Sequence, residues 1–262
     1  MAIDWYPFAV KRPIISDNFQ KGRGGQKVRA VVLHIAAGPL SAVFPTFNNP
    51  QRGASAHFCI GKKGEIEQYV SVNDTAFANG LTWKTDTAQW ICPHKKIVQP
   101  SWKDLTPKIN PNLYTVSIEH EGQPNDKWTD EMYDANLQLL QWLGDQFDLT
   151  YVAQHTLTGH FAIDPIDKSN CPGPNTEYDR IAQDLAAINA ATKLTWMPIN
   201  TEAALYQYAQ EHDLGYPQTD EFSATVGADE YVIQVFNDGI VYVKKGDWSN
   251  VQSFKKPISI SP

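Results

Sequence analysis

Arg29-Ala30-Val31-Val32-Leu33-His34-Ile35, closed by Ala36-Ala37-Gly38-Pro39, is the stretch that decides the fold. A continuous apolar, β-branched run of this length suits a central strand covered on both faces, and His34 falls at its C-terminal end, where sheet-based sites form. A second strand, Tyr114-Thr115-Val116-Ser117-Ile118-Glu119-His120-Glu121-Gly122, alternates instead. Val116, Ile118 and His120 share one face, with Thr115, Ser117 and Glu119 on the other. Ser55–Ile60 and Glu65–Val70, separated by Gly61-Lys62-Lys63-Gly64, read as a hairpin. Thr129 caps a helix with Asp130 and Glu131 in its first turn, and Met132, Ala135, Leu139, Trp142, Leu143 and Phe147 recur at helical spacing. A short run, Tyr151-Val152-Ala153, leads toward His160, and Thr176 opens a further helix with Tyr178, Ile181, Ala182, Leu185 and Ile188 inward. Residues 80–112 lack periodicity and predict a long loop forming one wall of a substrate groove.

Strands alternating with helices around one hairpin predict an α/β domain, a mixed central β-sheet flanked by helices, over residues 1–192. After a junction near Ala190–Asn200, residues 200–262 predict a small α+β module. Its helix is Thr201–His212, and its hairpin joins Tyr231–Phe236 to Ile240–Val243 through Asn237-Asp238-Gly239.

Composition narrows the function. Net charge is −7 over 262 residues, with −2 in residues 1–196 and −5 beyond, so neither part has the basic balance of a nucleic-acid binder. Eight tryptophans with eleven tyrosines and eleven phenylalanines serve either a core or carbohydrate-contacting surfaces. Three cysteines (Cys59, Cys92 and Cys171) form no paired framework, which fits a reducing compartment or thiols with other tasks. No apolar run approaches the ~18 residues of a membrane span, and Met1–Pro7 has no secretory pattern. The expectation is a monomer made in the cytoplasm, with no nucleic-acid or membrane partner.

Gly159-His160-Phe161-Ala162-Ile163-Asp164-Pro165-Ile166-Asp167-Lys168-Ser169-Asn170-Cys171-Pro172-Gly173 concentrates reactive groups. Histidine and cysteine are the commonest zinc ligands, and a catalytic zinc takes three protein ligands plus one open position. His34, His160 and Cys171 are therefore a candidate zinc set. From residue types alone, the alternative account is His34 as a satisfied core histidine and Cys171 as a small buried hydrophobe.

The blocks Val32-Leu33-His34, Ser55-Ala56-His57-Phe58, Ser117-Ile118-Glu119-His120-Glu121-Gly122 and Gly159-His160…Cys171-Pro172-Gly173 together resemble type-2 N-acetylmuramoyl-L-alanine amidases, the phage-lysozyme and peptidoglycan-recognition-protein group. The likeness covers roughly residues 25–190. It implies Zn2+ held by His34, His160 and Cys171, and Glu119 as catalytic base, a carboxylate able to take a proton from zinc-bound water. Cys171 matches the phage and recognition-protein branch, since the muropeptide-recycling branch has aspartate there. The oxyanion-stabilising position, two residues before the third ligand, is Ser169 here, with Lys168 one residue further out. Lys168 is preferred because a cation offsets developing negative charge better than a hydroxyl, the alternative being an exposed loop lysine. His57 reads as structural, and Ala78-Asn79-Gly80 stands where many relatives carry a histidine.

In the C-terminal module, Leu214-Gly215-Tyr216-Pro217 and the strands after it resemble the LGFP-type repeat of cell-wall-associated proteins, which implies attachment to a wall glycan. The resemblances imply bacterial peptidoglycan as substrate and a phage or prophage endolysin acting on the wall after release. The alternatives are a peptidoglycan-binding protein without activity and a cytosolic recycling amidase.

Overall fold

The computed structural model describes residues 4–195 and 200–255, with side chains omitted over 190–195. Contacts divide the chain into two units, residues 1–187 and 188–262, so the division falls within the helix Tyr178–Thr195. Residues 196–199 of the expected junction, Met1–Ile3 and residues 256–262 lie outside the described residues.

The first unit contains strands β1 (Val10–Lys11), β2 (Phe19–Gln20), β3 (Ala30–Ile35), β4 (Phe58–Ile60), β5 (Ile66–Gln68), β6 (Thr75–Ala76), β7 (Thr82–Lys84), β8 (Gln89–Ile91), β9 (Ile97–Val98), β10 (Thr115–His120) and β11 (Leu157–Gly159). Its helices are α1 (Leu40–Phe47), α2 (Asp130–Phe147), α3 (His160–Ile163) and most of α4 (Tyr178–Thr195). Six strands form one mixed sheet in the order β1-β5-β4-β10-β3-β11. β3 lies parallel to β10 and β11, β10 parallel to β4, and the β4–β5 hairpin is antiparallel. The expected mixed sheet flanked by helices is what the chain forms.

Each face of β3 enters a different core. Val31 and Leu33, with Val116, Ile118 and Leu157, pack against Met132, Leu139, Leu140 and Leu143 of α2 and Ile181 and Leu185 of α4. Ala30 and Val32 pack instead with Leu81, Trp90, Trp102, Tyr114, Ala162 and Ile163. Val31, Val32 and Leu33 have no exposed surface, and burying each contributes roughly 1.5–3 kcal/mol. The Thr129 hydroxyl accepts the Met132 N–H at 3.2 Å, capping α2 as expected.

One expectation needs correction. Residues 80–112 are not one long loop: β7, β8 and β9 form a three-stranded antiparallel sheet, whose Trp90 and Val98 enter the second core with Trp102. Its strands are two or three residues long, too short for any periodicity to register. The run Tyr151–Ala153 leads toward His160 as expected, with β11 between them.

In the second unit, α5 (Ala204–Glu211) precedes a four-stranded antiparallel sheet of β12 (Phe222–Val226), β13 (Asp229–Phe236), β14 (Gly239–Lys244) and β15 (Gln252–Lys255). Leu205 and Ala209 of α5 pack with Leu214, Val232, Phe236, Val241 and Val243. Strand alternation turns Tyr231, Ile233, Ile240 and Tyr242 to the opposite face, beside Phe222 and Phe254.

Candidate active site

Each chemically important side chain sits at a carboxyl end of the parallel strands, where chain direction changes and side chains escape the core. His34 is the penultimate residue of β3, and His160 opens α3 directly after β11; both are buried. Cys171 is half-buried in the following loop. Their donor atoms lie within 4.8 Å of one another. His34 Nδ1 is 3.0 Å from His160 Nδ1 and 4.0 Å from Cys171 Sγ, while the Ile35 N–H donates to that sulfur at 3.4 Å.

The ring tautomers follow from their partners. His160 Nε2 donates to the Asn79 carbonyl at 3.3 Å, leaving Nδ1 with its lone pair directed at His34. Burial, then the charge of Lys168, holds His160 down to about 3. Burial, then His160 and Lys168, holds His34 well below the usual imidazole range, so both rings are neutral, as metal ligands must be. Burial and Glu119 push the Cys171 thiol up to about 12 in the absence of a cation. Two neutral imidazoles and a sulfur converging on one point fit zinc in donor type and number.

Glu119 lies on β10 directly across from His34 in the parallel register. Its Oε2 is buried without a partner among the described residues, and burial raises the carboxyl to about 7 against the pull of Lys168 and Arg52. His34, Glu119, His160, Lys168 and Cys171 line one cavity of about 470 Å³. Lys168 reaches this cavity from the exposed loop, whereas Ser169 is exposed and absent from its lining. The opposite wall is α1 (Ala42, Val43, Thr46 and Phe47) with Arg52.

Several supporting residues were not singled out by sequence reasoning. His120 Nδ1 donates to the His34 carbonyl at 3.0 Å, and burial holds this ring down to about 4, so it is neutral. Its Nε2 must then accept; it stands 3.1 Å from Asn136 Oδ1, and turning that amide over presents the NH2, which otherwise has no acceptor among the described residues. Asn79 fixes His160 through its carbonyl while its side chain donates to Thr115 at 3.0 Å. α1 and Arg52 also escaped notice, since Pro45 inside an eight-residue apolar segment hides the helix. His57 accepts the Ser117 N–H at Nδ1, 3.0 Å, tying the approach to β4 onto β10. It does not line the cavity.

Two imidazoles, a sulfur and a neighbouring carboxylate in a solvent-reached cavity have the donor chemistry of a single-metal hydrolytic centre. The chain belongs to the N-acetylmuramoyl-L-alanine amidase family (Amidase_2), whose model matches residues 24–174. It is 27% identical over 134 residues to N-acetylmuramoyl-L-alanine amidase A of Achromobacter lyticus, a match covering 50% of this chain and 58% of that relative's length. A solved structure, the selenomethionine AmpD derivative, shares the fold with a TM-score of 0.52 at 19% identity, covering 70% of this chain and 96% of its own. The Staphylococcus aureus hydrolase AmiA, solved in complex with its ligand, aligns with a TM-score of 0.49 at 12% identity over 72% of this chain and 86% of its own.

Proposed function

We propose that the first unit is a zinc-dependent peptidoglycan amidase, hydrolysing the amide between the lactyl group of N-acetylmuramic acid and L-alanine. The observation carrying this reading is the convergence of His34, His160 and Cys171 beside Glu119 in one cavity, within a chain of this family. When bound, zinc supplies a water acidified to about pKa 7 and polarises the amide carbonyl. His34, His160 and Cys171 would hold the ion, the two rings neutral and His160 oriented by the Asn79 carbonyl. Glu119, raised toward neutrality by burial, accepts the proton of the attacking water and delivers it to the departing L-alanine nitrogen. Lys168 offsets the negative charge developing on the carbonyl oxygen. The β3–β10 ladder sets the spacing between base and ligand, so neither group reorganises during the reaction.

The second unit serves as a wall-glycan anchor in this reading, its exposed aromatic face (Tyr231, Tyr242, Phe254) offering ring surfaces for sugars. Tethering raises the local concentration of the catalytic unit at the polymer. That arrangement favours a phage or prophage endolysin, acting on the wall after release, over a cytosolic recycling enzyme.

The test is release of new L-alanine amino termini from purified peptidoglycan, with bound zinc measured on the same preparation and His34→Ala and Glu119→Ala beside it. Wall binding without new amino termini would establish the non-catalytic alternative. Full activity in Glu119→Ala would remove the base assignment and leave the zinc site standing.

A further inference from the structure

The loop between His160 and Cys171 carries two aspartates that the hydrolytic reading leaves unused. Asp164 has no exposed surface. Its Oδ1 accepts the backbone N–H groups of Ile166 at 3.2 Å and Asp167 at 3.0 Å, while Oδ2 is buried without any partner among the described residues. A buried carboxylate oxygen left unpaired is costly, and a cation is the partner that such an oxygen lacks. The thiol of Cys92, itself buried, and a carboxylate oxygen of Asp167 lie within 4.8 Å of a carboxylate oxygen of Asp164 and of each other. Cys92 comes from a different part of the chain, the turn between β8 and β9, closed by Cys92 N–H to the Lys96 carbonyl at 3.0 Å.

We propose that Cys92, Asp164 and Asp167 form a second cation site, separate from the His34–His160–Cys171 centre, that takes a thiophilic divalent ion such as zinc. One sulfur and two carboxylate oxygens suit zinc, and solvent completes the tetrahedron. Charge balances around it. A thiolate and two carboxylates exceed a divalent ion by one negative charge, and Lys96 Nζ, 2.8 Å from Asp167 Oδ1, supplies the remaining positive one. His94 donates from Nδ1 to Asp167 Oδ2 at 2.8 Å and holds that carboxylate in position, as outer partners of metal ligands do. The ion joins the β7–β8–β9 sheet to the loop that carries Lys168 and Cys171, so its role is to brace the catalytic loop from behind.

Metal counting tests this directly. Protein stripped with a chelator, reloaded with zinc and freed of excess by gel filtration is expected to hold two ions per chain. Cys92→Ser and the near-isosteric Asp164→Asn are each expected to hold one. Cobalt(II) substitution in Cys171→Ser protein needs no change at the proposed site, so it stands even if the other variants fail to fold. Thiolate-to-cobalt absorption from Cys92 is expected to persist there. A wild-type protein holding one ion that Cys92→Ser retains, or loss of all thiolate absorption in Cys171→Ser, overturns the proposal. One ion lost on Cys92→Ser but kept in Cys171→Ser upholds it and removes the catalytic zinc instead, so the two readings fail separately.

Discussion

Gly173→Ala places a methyl group where the backbone leaves no space for one. Gly173 adopts φ +124°, a conformation unfavourable to any residue with a side chain, and its Cβ would lie 1.9 Å from the Pro124 carbonyl oxygen and 2.8 Å from the Pro124 carbonyl carbon. Both obstacles are backbone, so no rotamer change relieves them, and the loop must retreat by more than about 1 Å to restore ordinary contact. The unfavourable φ costs roughly 1–2 kcal/mol. Overpacking adds about 1–3 kcal/mol. The total of about 2–5 kcal/mol corresponds to a fall in Tm on the order of 10 °C for a unit of this size. Cys171 lies two residues away, so the same retreat draws its sulfur from the two imidazoles and weakens zinc retention at least tenfold. Thermal and urea unfolding with and without zinc, and competition against a chromogenic chelator, measure both effects. Gly38→Ala is the control, because a Cβ there meets nothing within 4 Å, and its stability should stay within about 0.5 kcal/mol of wild type. Equal stability and zinc affinity in Gly173→Ala and wild type would refute the reasoning.

Glu119→Gln keeps the side chain's shape and removes its basicity, so kcat should fall roughly 10²–10⁴-fold with zinc content unchanged; loss of zinc along with activity would assign Glu119 to binding instead. Asn136→Leu removes the amide facing the buried His120 ring, and the orphaned Nε2 should cost about 1–3 kcal/mol in urea unfolding. A neutral result there would show that His120 needs no partner. His57 and His120 are buried neutral, with pKa values below that of the unfolded chain, so the unfolded state gains protons first as pH falls below about 6.5. Metal-free protein should therefore lose about 2 kcal/mol per ring between pH 7 and pH 5, and a flat stability profile over that window would show that these rings are protonated when folded.

What could be read from residue order was whatever a few neighbours encode. β3 declared itself through an unbroken apolar run, and α2 through Met132, Leu139 and Leu143 at helical spacing behind the Thr129 cap. The Phe58–Ile60 and Ile66–Gln68 hairpin followed from its glycine-bracketed turn. The site was less legible because its members meet only in three dimensions. His34 and His160 are 126 residues apart, and no local spacing joins them, so likeness to a family carried that pairing. His120 looked like any other histidine until Asn136, about two turns into the next helix, came to face it. The β7–β8–β9 sheet had no pattern to find, because strands of two or three residues are too short for alternation to register, whatever their propensity.

The register that sets Glu119 across from His34 has an evolutionary consequence. Neighbouring strands stand about 4.8 Å apart whatever their side chains. The distance between Glu119 and His34 is thus a property of the backbone ladder, insulated from drift elsewhere in the chain. The facing wall of the cavity is α1, where only Val43 and Phe47 are buried. Ala42 and Thr46 line the cavity and are exposed, so they can vary without disturbing the core, while Leu40 and Phe44 pack against the core beside Val43 and Phe47 and hold the helix in place.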